Sequence, residues 1–288
     1  MSMVLRHPRG IAIVAAAAAI ALCLVLAVAA AVADARRQAT TIGLIATMNA
    51  PSEVPAPTGD VSAARGAFTA TASQDGAGAG LTWSMTFDGL TGPGTAAHIH
   101  VAPRGQPGPV VIPLCAPCTS PASGTATVDA ATLAAIQTGG AYVNVHTDRN
   151  RAGEIRGQLG IVAALRSTLT ARQEVPKPKG NVRRATGAFV GAVTKEGTTG
   201  AVTWRLTFSR LTGPAVAAHI HIGRAGRAGP VAVALCGPCR NGQRGSAVVN
   251  AATLAALEAG RGYVNIHTRR NPGGEVRGQL PAAALKIG

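Results

Sequence analysis

Leu81-Thr82-Trp83-Ser84-Met85-Thr86-Phe87 alternates large apolar with small polar residues, and Val202-Thr203-Trp204-Arg205-Leu206-Thr207-Phe208 repeats the pattern 121 residues later. A period of two sends every second side chain to the same face, so each stretch reads as a strand with one buried and one exposed face. The same shift of 121 aligns, without a gap, Glu53 with Glu174, Phe68 with Phe189, His98 with His219, Cys115 with Cys236, His146 with His267 and Glu154 with Glu275. The chain is therefore two copies of one domain, placed at 36–162 and 163–288. Gly160 to Arg166 leaves almost no linker, which predicts close packing of the copies.

Outward from these stretches, further strands are expected at Thr41–Met48, Gly66–Ala72, Ala97–Val101, Pro109–Leu114, Gly124–Val128, Ala141–Thr147 and Glu154–Ile161, bounded by Gly, Pro, Asn and Asp turns. One short helix interrupts them, with Asp129 (Asn250 in the second copy) capping Ala130–Gln137 and Gly139 ending it. The pattern is that of an all-β sandwich or barrel. With 36 Gly and 18 Pro among 288 residues, 3% aromatic and 14% charged residues, the composition excludes a coiled coil and a disordered polyelectrolyte.

Arg6 and Arg9 precede the apolar run Ile11–Ala33, which ends in Ala31-Val32-Ala33. Residues 1–35 thus read as a signal peptide or, because about 20 apolar residues span a bilayer, a signal-anchor. Cys23 lies within that run as an inert apolar residue. Either way the remainder is exported to the periplasm, cell surface or medium, and membrane contact requires an uncleaved segment.

The chemistry is concentrated in histidine. In Ala97-His98-Ile99-His100-Val101 both imidazoles take the face opposite Ile99, and in Tyr142-Val143-Asn144-Val145-His146 the polar side chains again oppose the valines. Beyond His7, every histidine belongs to the triplets His98, His100, His146 and His219, His221, His267. Neutral imidazoles at this spacing suit copper, and after it zinc, so both triplets are candidate metal sites. The competing reading has them bonded to Glu154, Asn144 and backbone carbonyls, locking strands together. Asn144, Glu154 and Arg156, with Asn265, Glu275 and Arg277 in the second copy, are candidates for orienting a ligand histidine. Glu154 and Arg156 also read as a simple cross-strand ion pair.

Cys115-Ala116-Pro117-Cys118 and Cys236-Gly237-Pro238-Cys239 occupy equivalent places. In an exported chain they read as local disulfides, against a zinc site shared by all four or thioredoxin-like redox chemistry. Charge separates the copies. Residues 36–162 hold seven Lys/Arg and seven Asp/Glu, whereas 163–288 hold eighteen and four, a net charge of +14. Arg183, Arg184, Arg224, Arg227, Arg240, Arg244, Arg269 and Arg270 fall mainly in expected turns and suit an envelope protein, an anionic lipid or a polysaccharide. Nucleic acid is disfavoured by export and by the scarcity of aromatics.

Glu53-Val54-Pro55 and Glu174-Val175-Pro176, the Gly-Ala-Phe and Trp strands, Ala-His-Ile-His before a Gly/Pro loop, Tyr-Val-Asn-Val/Ile-His-Thr and Gly-Glu-Ile/Val-Arg-Gly-Gln-Leu together resemble the CHRD domain of chordin-like proteins. The match runs through both copies. One departure is Asn150-Arg151-Ala152-Gly153 where the family shows Asn-Pro-x-Gly, which the second copy keeps as Asn271-Pro272-Gly273-Gly274. The resemblance implies an extracellular β-sandwich module, whose animal relatives bind secreted growth factors. A fainter likeness is to copper-zinc superoxide dismutases, which by that likeness would make His98, His100 and His146 copper ligands and Arg156 an anion guide.

The fold class expected is therefore all-β, with two tandem antiparallel β-sandwich domains of Ig-like or dismutase-like kind and one short helix in each. The function expected is that of an exported tandem CHRD binding or structural module of the cell envelope. The alternative is a copper or zinc protein, and the enzyme class that goes with it is a copper-dependent oxidoreductase. No Ser-His-Asp order, paired carboxylates or phosphate-binding glycine loop points to other chemistry.

Overall fold

The alternating stretches form strands where the pattern places them. A computed structural model describes residues 41–75 and 78–286, so the expected signal segment 1–35, with Cys23, lies outside the described residues. The first copy comprises β1 (Thr41–Asn49), β2 (Arg65–Asp75), β3 (Gly78–Asp88), β4 (Ala96–Val101), β5 (Val110–Cys115), β6 (Ala122–Val128), α1 (Ala130–Gln137), β7 (Ala141–His146) and β8 (Ile155–Gln158). The second comprises β9 (Gly160–Thr170), β10 (Thr186–Glu196), β11 (Thr199–Ser209), β12 (Ala215–Ile222), β13 (Val231–Cys236), β14 (Gln243–Val249), α2 (Ala251–Glu258), β15 (Gly262–Thr268) and β16 (Val276–Gln279). Among the described residues no helix is long and apolar enough to cross a membrane.

All pairings are antiparallel. One sheet of the first copy runs β1-β2-β3-β6 and the other β5-β4-β7-β8, and the second copy repeats this as β9-β10-β11-β14 and β13-β12-β15-β16. Phe68, Leu81 and Met85 from the first sheet meet Ile99, Val143, Val145 and Ile155 from the second in one core, which makes each copy a β-sandwich. The two helices begin as expected, with the Asp129 carboxylate accepting from Thr132 N–H at 2.7 Å and Asn250 Oδ1 accepting from Thr253 N–H at 2.9 Å.

The single strand expected over Glu154–Ile161 is two strands in two different sheets. Leu159 is fully buried, its N–H donates to Ala141 O, and there the chain crosses from the β8 sheet into the β1 sheet. Gln158 fastens the crossing by donating from Nε2 to Ala102 O at 2.9 Å and to Gly139 O at 2.8 Å. The division at 162/163 consequently falls inside β9. Its first residues pair with β1 (Leu44↔Ile161, Gly43↔Val162) while Ile161 and Val162 also pair with Lys195 and Thr194 of β10. The front sheets of the two copies thus join in the order β6-β3-β2-β1-β9-β10-β11-β14, and their apolar residues form one cluster.

Both cysteine pairs are disulfides, Cys115–Cys118 with Cα atoms 5.2 Å apart and Cys236–Cys239 at 5.1 Å. Each closes a loop inside its own copy after a strand. A zinc site shared by four cysteines is thereby excluded, and the motif lacks the helix N-terminus that activates a thioredoxin-like thiol.

The joint predicts that the copies unfold together. Ile161 is 1% exposed at the junction, so Ile161→Ala is expected to cost about 2–4 kcal/mol. In guanidinium titrations of Trp83→Phe and Trp204→Phe backgrounds, each leaving one indole as reporter, the substitution should lower both midpoints alike. A shift confined to one reporter would contradict the shared core.

Candidate metal centre

β4 lies in unbroken register with β7, pairing Ala96 with His146, His98 with Asn144 and His100 with Tyr142. His98 and His146 are therefore diagonal neighbours on one face, a separation that imidazoles can bridge. Their rings meet, with His98 Nδ1 3.0 Å from His146 Nε2 and centroids 4.9 Å apart. His100 completes the group, its centroid 5.7 Å from that of His98 and 6.1 Å from that of His146. In each copy the three potential ligand nitrogens lie within 4.8 Å of one another. The second copy reproduces the arrangement, with His219 Nδ1 3.0 Å from His267 Nε2.

Backbone carbonyls fix which nitrogens face inward. His100 Nδ1 bonds Gly108 O at 2.9 Å and His146 Nδ1 bonds Arg151 O at 2.9 Å, so these nitrogens carry the protons and each Nε2 keeps its lone pair. His221 and His267 do the same with Gly229 O and Pro272 O, both at 2.8 Å. Arg151 stands where the second copy has Pro272, but its carbonyl takes the same bond, so the departure from the family pattern leaves the turn intact. Burial first, and the neighbouring rings second, push His98 and His219 down to about 4, and burial also lowers His100, His146 and His267. These five rings are thereby neutral at neutral pH, as metal ligation requires. His100 Nε2 and His221 Nε2 are buried acceptors with no protein partner.

Behind each triad stands a stack. Tyr142 lies parallel to His100 at 4.8 Å, and the Arg156 guanidinium sits 3.4 Å from the Tyr142 centroid on the other side. Arg156 is 1% exposed and donates to Gln106 O at 2.8 Å, Pro103 O at 3.1 Å and Gln158 Oε1 at 3.3 Å. Arg277 is bound likewise to Arg227 O, Arg224 O and Gln279. These arginines hold the loop that carries Gly108 or Gly229 over the site. The expected role of anion guide does not fit, because no guanidinium edge reaches solvent. Gly108 must be glycine, since a Cβ there would collide with Val101 O.

Glu154 binds neither a histidine nor Arg156, contrary to both expectations for it. Its carboxylate accepts from Thr91 N–H at 2.6 Å, Thr91 Oγ1 at 2.5 Å, Thr147 Oγ1 at 2.7 Å and Asn150 Nδ2 at 2.9 Å. Glu275 repeats the knot with Thr212, Thr268 and Asn271. Chain reversals on both sides of the triad are tied by this one carboxylate, which makes it a positioning residue.

The carboxylate nearer the histidines is one the sequence reading left out. Glu53 is 4% exposed and its Oε2 lies 3.4 Å from Asn144 Nδ2, while Asn144, itself 1% exposed, is beside His100. Asn144 Oδ1, Asn265 Oδ1 and Glu174 Oε2 are further buried acceptors without a protein partner. Gly153, at φ +134°, leaves room for the Glu53 carboxylate where any side chain would strike it. The Glu-Val-Pro triplet recurring at the repeat spacing was the available signal.

These carboxylates impose opposite pH dependences. For Glu275, burial raises the pKa but its hydrogen bonds outweigh it, so the group is held below 4.5, and its stabilisation is present above that value and lost as pH falls through the folded pKa. For Glu174, burial dominates and raises the pKa from 4.5 to about 7. Between those values the unfolded chain ionises while the folded one stays protonated, so stability declines as pH rises. In urea titrations Glu174→Gln should match the parent at pH 4 and gain on it by pH 8, whereas Glu275→Gln should lose about 1–3 kcal/mol at pH 7. Coincident profiles for parent and Glu174→Gln would refute the assignment.

The model of the CHRD domain matches residues 44–159 and again 165–280. No curated protein and no solved structure matches the chain. The two matched segments cover most of the sequence and coincide with the two sandwiches that carry the triads, and the chain belongs to the CHRD-domain family.

Proposed function

We propose that the protein is an exported binding module of the cell envelope whose two CHRD domains each hold one transition-metal ion on a histidine triad. The observation that carries this reading is the convergence, in both copies, of three imidazoles, two of which present Nε2 inward because a backbone carbonyl pins their Nδ1. Two nitrogens at about 2.0–2.1 Å from one ion, with angles of roughly 90–110°, are about 2.9–3.4 Å apart. The His98–His146 separation of 3.0 Å already meets that requirement. The ligand nitrogens lie within 4.8 Å of one another, so the third closes to the same spacing with an approach of at most roughly 1.4–1.9 Å.

Three imidazoles and no thiolate suit copper, zinc or nickel, and the Irving–Williams order places copper first. The disulfides fit an oxidising compartment, in keeping with export. The excess charge of the second copy favours an anionic envelope partner on that half.

Metal content of the exported protein, after incubation with copper and removal of loose ion, should approach two per chain. His98→Ala/His100→Ala should leave one and the further pair His219→Ala/His221→Ala none, with the fold checked by circular dichroism. Uptake unaltered in the fourfold variant would eliminate the triads as the sites.

A further inference from the structure

The segments joining β1 to β2 and β9 to β10 wall equivalent concave pockets, of about 540 Å³ in the first copy and about 610 Å³ in the second. Their less exposed lining is shared: Ala50, Pro57, Val61 and Ala64 in one, Ala171, Pro178, Val182 and Ala185 in the other. Their exposed rims differ. Pro51, Ala56, Ser62 and Ala63 of the first are replaced by Arg172, Lys177, Arg183 and Arg184 of the second.

The neighbouring acids change in the opposite sense. Arg65, the one cation lining the first pocket, is paired with Asp88 at 2.9 Å, and Asp60 lies in the same connection. The second copy has Thr186, Ser209 and Asn181 at these positions. Among the described residues none of the four rim cations enters an ion pair, and the one hydrogen bond from them is Lys177 Nζ to Arg172 O at 2.7 Å. Duplication has thus left one apolar pocket with a neutral rim and one with four unpaired cations around the same floor. A single-sign field in a concavity is focused there.

We propose that the pocket between β9 and β10 binds a segment of an acidic polysaccharide, with Arg172, Lys177, Arg183 and Arg184 holding its carboxylates. The inference rests on the reading of the second copy as the half that meets an anionic envelope partner, and narrows it to one site and one chemistry. Guanidinium groups pair with carboxylates bidentately, and the apolar floor receives the C–H face of a sugar ring. A bilayer is planar and does not enter a concavity, and surface-binding segments insert protruding apolar residues, which this rim lacks.

The test is calorimetric titration of the whole exported chain with a galacturonic acid hexamer, with neutral maltohexaose as control and phosphatidylglycerol vesicles as a separate arm. One hexamer should bind per chain. Lys177→Ala/Arg183→Ser/Arg184→Ala installs the residues the first copy carries at these places, so the fold accommodates them, and should weaken binding about tenfold or more. The reciprocal Ala56→Lys/Ser62→Arg/Ala63→Arg should add a second site. Undiminished hexamer binding by the first variant would overturn the pocket while leaving an anionic partner for this copy. Vesicle binding without hexamer binding would overturn the polysaccharide in favour of a membrane. Absence of both would overturn the pocket and the partner reading together.

Discussion

β7 and β15 are buried on both faces, and much of the architecture follows from that constraint. One face of β7 gives Val143 and Val145 to the sandwich core, and the other carries Tyr142, Asn144 and His146. A polar side chain removed from water must find partners or cost free energy. Tyr142 is sandwiched by Arg156 and His100, His146 is held by Arg151 O and His98, and Asn144 meets Glu53. The loop between β4 and β5 and the turn after β1 both lie over this face because its polar groups bind them.

The same constraint fixes the orientation of two rings of the triad. The Gly108 and Arg151 carbonyls orient His100 and His146, and those carbonyls are themselves placed by Arg156 and by the Glu154 knot. What remains open on this face is a set of acceptors, His100 Nε2 and Asn144 Oδ1, with no donor among the surrounding side chains. A buried polar network whose remaining open atoms are acceptors is chemically suited to a cation. The second copy keeps the carbonyl bonds to the histidines, the tyrosine–arginine stack and the Glu275 knot, but not the Asn144–Glu53 hydrogen bond, and its outer rim has changed charge. The inner face has therefore been largely kept while the periphery has changed.

Much of this was legible in the sequence, and the failures have identifiable causes. The alternation in Leu81–Phe87 survives as strand because its period matches a pleat with one buried face. Alternation carries no mark of a change of sheet, so Glu154–Ile161 read as continuous although Leu159 is the crossing point. The histidines could be grouped because the repeat isolated them, whereas Glu53 reaches Asn144 across 91 residues, a contact no local pattern encodes. The dismutase likeness offered Arg156 to an anion, and a strand pattern, which shows the face a residue takes, does not show that a loop covers it. The 121-residue repeat revealed two domains, but β9 belongs to the joint between them and conceals it, since nothing local distinguishes a strand shared by two sandwiches from a linker.

The central claim is that each triad is a metal centre assembled from one Nδ1 and two Nε2 atoms. Anomalous diffraction at the copper edge, on crystals of the protein grown with copper, tests it most directly. The account predicts two anomalous peaks per chain, each bounded by His98 Nδ1, His100 Nε2 and His146 Nε2 or by His219 Nδ1, His221 Nε2 and His267 Nε2. Peaks elsewhere on the surface, with the His98–His146 and His219–His267 hydrogen bonds intact, would contradict it and assign the histidines to holding the sheet.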